Sequence, residues 1–215
     1  MNRSDLHAPG ESYYTHTRQE LVSLLDGVPQ TVLEVGCGRG NTLGYLKERG
    51  ARETFGIELN YSVAGDAIDQ VDHLAVGDVE SMQWPFPGVR FDCIILGDVL
   101  EHLRDPWRVV SRLKESLCDG GQMVASLPNV RFYGVSIPLL FGGKWTYAEE
   151  GILDRTHLRF FTRRTAIQLF AEAGLEVRRV GSTYGPKRRL FNLLTVGIFR
   201  NLLARQHLIH ALKVK

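Results

Sequence analysis

The sequence lacks three features that mark large classes of proteins: a long apolar run, a strong charge of one sign and a cysteine framework. No apolar run approaches the ~18 residues that a membrane-spanning helix needs. The net charge of +2 is too small to indicate binding to nucleic acid. The N-terminus is polar and has no apolar region of the kind found in secretion signals. A length of 215 residues then suits one globular domain.

The three cysteines, Cys37, Cys93 and Cys118, have neither metal-site spacing nor the even number of a disulfide framework. We therefore expect reduced thiols in a cytoplasmic protein. The charge is unevenly distributed, because residues 186–215 carry basic side chains and no acidic ones. This basic end favours a solvated surface, with a surface for an acidic partner, or at most peripheral contact to an anionic membrane, as the alternative.

Short β-type segments alternate with helix-like segments along the chain. The β-type segments are 31–36, 54–59, 73–78, 91–98, 122–128, 175–182 and 206–214. The helix-like segments are about 14–26, 41–50, 61–70, 106–118, 163–173 and 187–203. This alternation predicts an α/β, doubly wound, mainly parallel sheet with helices on both faces. Within the single domain 1–215, we expect a cap helix in 1–28, a functional insertion at 129–162 and a helix at 186–204 before the last strand.

A glycine-rich turn, Gly36-Cys37-Gly38-Arg39-Gly40, follows the first β-type segment. Ligands of open parallel sheets bind beyond the carboxyl ends of the strands, so this turn is a candidate binding loop. Asn41 stands where a dinucleotide-binding loop has its third glycine, which weakens the case for a nicotinamide-dependent oxidoreductase. Glycines also serve tight turns without any ligand.

Acidic residues stand at the ends of the next two β-type segments. Glu58 ends the second one, where a carboxylate can accept hydrogen bonds from both hydroxyls of a ribose. Asp78 and Val79 follow the third one, and an acid beside an apolar side chain suits an adenine. Each feature alone also fits an ordinary surface loop. Together, at successive strand ends, they predict a site for an adenosine-containing ligand.

The segments "VLEVGCGRG", "GIELN", "GDVE", "FDCIILGDVLEHLRDP" and "GGQMVASLPN" occur in the order of the motifs of class I S-adenosylmethionine-dependent methyltransferases, and the resemblance covers about residues 30–180. It implies a Rossmann-like sandwich with a seven-stranded sheet whose last strand, 206–214, is antiparallel. It also implies S-adenosyl-L-methionine as cofactor and S-adenosyl-L-homocysteine as product. The cofactor-binding residues that it implies are Glu34, Gly36, Cys37, Gly38, Glu58, Leu59, Asp78, Val79, Gly97 and Asp98.

These residues have different implied roles. The glycine turn would lie against the methionine part of the cofactor, Glu58 would bind its ribose, and Asp78 and Val79 would lie beside its adenine. Glu34 would steady the loop or reach the amino group of the cofactor through water. Tyr13, Tyr14 and Arg18 are candidates to close over the cofactor from the N-terminal segment.

The acceptor of the methyl group decides which further groups are needed. A weakly acidic hydroxyl must lose its proton during attack, which needs a base or a metal. We predict His157 as the base, with Asp154 orienting its imidazole, and His102 as the alternative. Asp98, Glu101, His102 and Asp105 match no metal-ligand spacing, and we therefore predict no metal site. A structural role for both histidines stays open.

The segment 129–162 is the most individual part of the chain. With its "DRTHLRFF", it resembles a subgroup of methyltransferases from bacterial glycan and cell-envelope pathways, and also the accessory protein of bacterial methionine biosynthesis that shares the fold. Either resemblance implies that Phe132, Tyr133, Trp145 and Tyr147 line an acceptor pocket or a docking surface; the alternative is a helix that packs its apolar face on the sheet. We therefore expect a methyltransferase acting on a sugar or envelope-precursor hydroxyl, with a homodimer as its candidate assembly. The alternative is a partner protein without transfer activity.

Overall fold

The computed structural model describes residues 16–185, 188, 192 and 194–214, and these form one seven-stranded sheet with helices on both faces. The strands are β1 (Thr31–Val35), β2 (Glu53–Glu58), β3 (His73–Val76), β4 (Phe91–Gly97), β5 (Leu117–Pro128), β6 (Leu175–Thr183) and β7 (Gln206–Lys213). The helices are α1 (Gln19–Val22), α2 (Asn41–Glu48), α3 (Tyr61–Ala67), α4 (Pro106–Glu115), α5 (Tyr133–Gly142), α6 (Arg163–Glu172) and α7 (Arg200–Leu203), and Leu100–His102 form a 3-10 turn.

The strand order is β3-β2-β1-β4-β5-β7-β6. The first five strands pair in parallel, whereas β7 pairs antiparallel with both β5 and β6. The predicted fold class is therefore confirmed, including the antiparallel last strand. The order reverses between β1 and β4, and at such a point the loops after the two strands separate and leave a crevice for a ligand.

The central strands are apolar on both sides because helices cover both faces of the sheet. Leu33 and Val35 of β1 belong to one core, together with Leu96 of β4. Val32 of β1 points the other way, into a second core with Leu43 and other residues of α2. Alternate side chains of β1 thus pack into two separate cores, one on each face of the sheet. This packing fixes the position of the carboxyl ends of β1 and β4.

The N-terminal prediction differs from the structure. The helix expected at about 14–26 is only the single turn Gln19–Val22 within the described residues, and Met1–Thr15 lie outside them, so the expected cap helix is not tested there. Later in the chain, α4 ends at Glu115 rather than at 118, because the chain already joins the sheet at Leu117, opposite Phe91.

The helix expected at 187–203 is interrupted in its described part: Arg188, Asn192 and Leu194 are helical, residues 195–199 form turns, and the helix α7 follows at Arg200–Leu203. The backbone is left-handed at Val196 and Gly197, with φ of 50° and 74°, and this conformation cannot continue a right-handed helix. As a result, Leu194 and Ile198 are exposed instead of covering the sheet.

The insertion contains a helix, α5, which ends at Gly143 in a left-handed conformation. Only Val135 of this helix is buried, and Ile137, Leu140 and Phe141 remain exposed. The interpretation of the insertion as a helix that packs its apolar face on the sheet is therefore wrong. Among the described residues, none of the helices has the length and apolar character needed to cross a membrane.

Candidate active site

The loop after β1 is a tight turn that requires its glycines. Gly36 and Gly38 have φ of 68° and 56°, and a Cβ on Gly36 would lie 2.7 Å from Cγ2 of Val99. The amide of Gly36 donates to the carbonyl of Ile57, 2.7 Å away, which ties the turn to β2. The Cys37 side chain is buried beneath the turn against Gly56, so only its backbone can face a ligand.

Glu58 lies at the end of β2, beside this turn. Its Oε2 accepts a hydrogen bond from the amide of Gly38 at 2.9 Å, and its Oε1 accepts one from the amide of Asn60 at 2.9 Å. Each carboxylate oxygen has a second lone pair, so the same side chain can also accept from two hydroxyls. The next residue, Leu59, is exposed at the edge of the site. Glu58 therefore holds the glycine turn and the start of α3 as well as presenting a carboxylate.

Glu34 lies within β1, below the turn, and is almost fully buried. Burial raises the pKa of its carboxyl to about 8, although the nearby Arg18 opposes that shift. Within the described residues, its Oε2 has no hydrogen-bond partner. A buried acceptor without a partner is costly, and a positively charged amine of a ligand would satisfy it directly or through water.

Asp78 and Val79 follow β3. Oδ1 of Asp78 accepts from the amide of Glu80 at 2.8 Å, which shapes the turn after the strand. The side chain of Val79 is buried in the core, and its carbonyl accepts from Nη2 of Arg112 at 2.6 Å. Val79 therefore contributes packing and backbone at this strand end rather than an exposed apolar platform.

The end of β4 carries a polar network around Asp98, which has a left-handed φ of 54°. Its Oδ1 accepts from Oγ of Ser126 at 2.8 Å and from Nε2 of Gln206 at 2.7 Å. Its Oδ2 forms an ion pair with Nη1 of Arg18. The Arg18 side chain lies directly over Gly97, where an added Cβ would come within 3.0 Å of it. Arg18 thus lies over the end of β4, and its closure over the cofactor stays a prediction, while Tyr13 and Tyr14 lie outside the described residues.

Asp154 does not contact the imidazole of His157, contrary to the sequence interpretation. Its Oδ1 instead accepts from the backbone amide and the hydroxyl of Thr156, at 2.7 and 2.6 Å. Oγ1 of Thr156 lies 3.0 Å from Nδ1 of His102. Because the single hydroxyl hydrogen goes to the carboxylate, Nδ1 of His102 must be the donor in the second contact.

Thr156 therefore links Asp154 to His102, a role that the sequence reasoning missed. The signal was the local pattern Asp154-x-Thr156, which is typical of an Asx turn. Burial lowers the pKa of the His102 imidazole to about 4, and the nearby His157 adds to that effect. The imidazole of His102 is consequently neutral near pH 7.

His157 lies edge-on to His102, with ring centroids 4.7 Å apart. Its Nδ1 is 3.0 Å from the carbonyl of Ile152, and since a carbonyl can only accept, Nδ1 carries the hydrogen. In the neutral ring the lone pair is then on Nε2. The structure thus brings together both predicted histidines, although fifty-five positions separate them in the sequence.

Glu101 completes this group. Its backbone carbonyl accepts from the amides of Leu158 and Arg159, at 2.8 and 2.9 Å, and so joins the 3-10 turn to the insertion. Its side chain is only 1% exposed, and within the described residues neither carboxyl oxygen has a hydrogen-bond partner. Burial, together with the charge of Asp98, raises the pKa of this carboxyl well above its ordinary value.

The four predicted aromatic residues lie in three different settings. The rings of Trp145 and Phe160 pack edge to face, with centroids 5.0 Å apart, and the centroid of Phe160 lies 6.4 Å from that of His157. These contacts form a continuous aromatic group next to the histidines. Phe132 is buried, with the guanidinium groups of Arg188 and Arg205 over its ring. The exposed rings of Tyr133 and Tyr147 remain candidates for contact with an acceptor.

Residues 10–180 match the family described as "Methyltransferase domain". A ubiquinone biosynthesis O-methyltransferase of Pseudomonas paraeruginosa is 30% identical over 173 residues, which covers 76% of this chain and 72% of that protein. Two solved structures share the fold. An S-adenosylmethionine-dependent methyltransferase of Mesorhizobium loti has a TM-score of 0.65, 16% identity and coverage of 90% of this chain and 96% of that chain. A magnesium protoporphyrin IX methyltransferase of Synechocystis, solved with bound SAH, has a TM-score of 0.60, 17% identity and coverage of 94% and 81%.

The chain belongs to the class I S-adenosylmethionine-dependent methyltransferases. Three features of the crevice fit that cofactor. The turn has no room for a Cβ at Gly36, so its backbone can approach a ligand closely. Glu58 offers a carboxylate for the ribose, and Glu34 offers a buried acceptor for the amino group.

Proposed function

We propose that the protein is an O-methyltransferase whose acceptor is a hydroxyl group of a small molecule. The observation that carries this proposal is the group formed by Glu101, His102 and His157 just beyond β4. A hydroxyl must lose its proton as it attacks, and this group offers two imidazoles and a carboxyl for that purpose. Glu101 follows Asp98 by three positions in the turn after β4, so the group lies next to the polar network at that strand end.

The residues of the chain have separate tasks in this reaction. S-adenosylmethionine, when bound, supplies a methyl group that is already activated for transfer. Glu58 and the glycine turn hold the adenosine end, while Asp154 and Thr156 fix the ring of His102. The rings of Trp145 and Phe160 would hold the acceptor and exclude water. The positions of His102 and His157 support loss of the hydroxyl proton between the two rings.

Two chemical classes of acceptor fit this surface. The resemblance of the insertion favours a sugar or envelope-precursor hydroxyl. The O-methyltransferases of ubiquinone biosynthesis among the relatives favour a different hydroxyl acceptor, and a flat aromatic surface suits an aromatic ring at least as well. We therefore propose a hydroxyl as the feature that both acceptor classes share, and experiment must decide whether it belongs to a sugar or to an aromatic ring.

A screen with methyl-labelled S-adenosylmethionine tests the proposal. The panel should contain phenols and catechols, sugar nucleotides and undecaprenyl-linked sugars, together with amines and carboxylates of similar size. We expect label on oxygen, detected by mass spectrometry, for one of the hydroxyl classes. Label only on amines or carboxylates would contradict the proposal. A protein that binds S-adenosylhomocysteine, methylates nothing and activates a second enzyme would be the accessory protein instead.

The surroundings of the acceptor side support a peripheral membrane contact. Leu140 and Phe141 of α5 are exposed, as are Val196 and Ile198 of the segment before α7, and basic residues follow the same part of the chain. We also propose a cytoplasmic location, in keeping with free thiols at all three cysteines. A homodimer remains a prediction, which light scattering would test.

A further inference from the structure

We infer that Glu101, His102 and His157 form a binding site for one divalent transition-metal cation. Each of these residues offers one ligand atom, and the three atoms lie within 4.8 Å of one another. Two imidazoles and one carboxylate form a ligand set that suits Zn²⁺, Mn²⁺ or Fe²⁺ better than Mg²⁺, which prefers oxygen ligands. Metal–ligand distances of about 2.0–2.2 Å bring the ligand atoms of an occupied site closer together, so binding requires the three side chains to move toward one another.

The carboxyl of Glu101 is the independent observation that points to a ligand. A buried carboxylate without a partner is unfavourable, and a protonated carboxyl would still need an acceptor for its hydrogen. Within the described residues Glu101 has neither, since both oxygens are buried without a hydrogen bond. A cation bound between Glu101 and the two imidazoles gives the carboxylate a positively charged partner, so the carboxyl needs neither a donor nor a proton.

The contacts behind the imidazoles are those of metal-binding histidines. Such a histidine usually donates its second ring N–H to a carbonyl, a carboxylate or water, which fixes the tautomer and the orientation. His157 donates Nδ1–H to the carbonyl of Ile152. Nδ1 of His102 donates to Thr156, which passes the contact on to the carboxylate of Asp154.

The spacing in the sequence predicts no metal, because it makes Asp98 and Asp105 the apparent partners of Glu101 and His102. In the structure, both aspartates are engaged in other contacts. Asp98 is held by Arg18, Ser126 and Gln206, and Asp105 caps α4 by accepting from the amide of Arg108 at 3.0 Å. Their place is taken by His157, which the two backbone hydrogen bonds to Glu101 bring to the site.

The role of the cation in transfer rests on the proposed function, whereas its binding does not. When both imidazoles ligate the cation, they no longer take the proton themselves. A hydroxyl that coordinates the cation instead becomes more acidic and loses its proton to water. Its oxygen then forms the new O–C bond as the S–C bond of the sulfonium breaks, and the electron pair of that bond remains on sulfur. The products are a methyl ether, a thioether and one proton.

Titration of the metal-stripped full chain with Co²⁺, followed by visible absorption and by calorimetry, tests the site. We expect one equivalent of Co²⁺ to bind, with displacement by Zn²⁺. Glu101→Gln and His157→Ala should each weaken binding by at least about 10-fold, because even the outer partners of a metal site are worth that much. His73→Asn, which removes an exposed histidine beside Glu53, should leave binding unchanged.

Calorimetry with S-adenosylhomocysteine shows whether each variant is folded. Absence of stoichiometric Co²⁺ binding to the unmutated protein, or undiminished binding in a folded Glu101→Gln variant, would overturn the inference. Methylation of a verified acceptor that survives chelation, with no metal bound, would overturn the role of the cation in transfer while leaving the proposed function intact. Metal binding without methylation of any acceptor would support the site and reject the proposed function.

Discussion

Oγ1 of Thr156 lies 3.0 Å from Nδ1 of His102, and the same hydroxyl donates to Asp154. This contact joins the insertion to the turn after β4, and it makes Thr156 a positioning residue for His102. Thr156→Val should lower turnover by about 10-fold, the usual worth of one buried hydrogen bond, with little change in S-adenosylhomocysteine affinity. Thr156→Ser, which keeps the hydroxyl, should restore most of the turnover. Equal defects in both variants, in steady-state kinetics with a verified acceptor, would show that only the packing of the methyl group matters.

Part of this site could be predicted from the sequence. Local signals were sufficient for the glycine turn and for Glu58, because each depends on its position next to a strand. The link between Thr156 and His102 joins residues 54 positions apart, so no local pattern contains it. The same holds for the approach of His157 to Glu101. The exposed α5 was missed for another reason: an apolar segment does not show whether anything covers it.

Glu58→Ala should weaken binding of S-adenosylhomocysteine by about 2–3 kcal/mol, because two ribose hydroxyls would lose their charged acceptor. The amide of Gly38 would also lose its partner, which loosens the turn. Glu53→Ala is the matched control, since Glu53 begins the same strand with an exposed side chain. Calorimetry on both variants checks the prediction. Unchanged affinity in Glu58→Ala, or tight binding of NAD, would contradict the role given to Glu58.

Gly36→Ala should destabilise the protein by about 1–3 kcal/mol, because alanine is strained at a φ of 68° and its Cβ would lie 2.7 Å from Val99. Gly65→Ala is the contrasting variant. Gly65 lies inside α3 with nothing within 4 Å of a new Cβ, so alanine there should stabilise by up to about 1 kcal/mol. Urea denaturation of both variants measures the two signs, and the same sign in both would show that the turn tolerates side chains.

Contact with anionic vesicles should depend on the exposed apolar residues of α5. Leu140→Asp and Phe141→Asp together should reduce sedimentation of the protein with vesicles that contain phosphatidylglycerol, while Tyr61→Asp, at an exposed aromatic residue of α3, should not. Binding should weaken as salt rises, because the basic residues near the C-terminal end contribute through charge. Binding that is equal in all variants, or that is absent at low salt, would reject the membrane contact.

The pH dependence of stability should reveal the buried carboxyl of Glu34. Its pKa is raised to about 8 in the folded protein, so the folded state holds a proton that the unfolded state releases above its ordinary value of 4.5. The contribution of Glu34 to the free energy of unfolding is therefore complete at low pH and is lost as pH rises toward about 8. Burial lowers the pKa values of His102 and His207 to about 4. Between about pH 4 and about pH 6.5 these two histidines therefore make the free energy of unfolding rise with pH, opposite to the effect of Glu34.

A comparison with Glu34→Gln isolates the carboxyl, because the histidines are the same in both proteins. The unmutated protein should lose stability relative to the variant, on the order of 2–3 kcal/mol between about pH 5 and about pH 8, when no ligand is bound. Chemical denaturation at several pH values measures this difference. A saturating amount of S-adenosylmethionine should shrink it, since the positive charge of the cofactor favours the ionised carboxylate. Parallel pH profiles for the two ligand-free proteins would mean that Glu34 is already ionised at neutral pH, and that Arg18 outweighs the effect of burial.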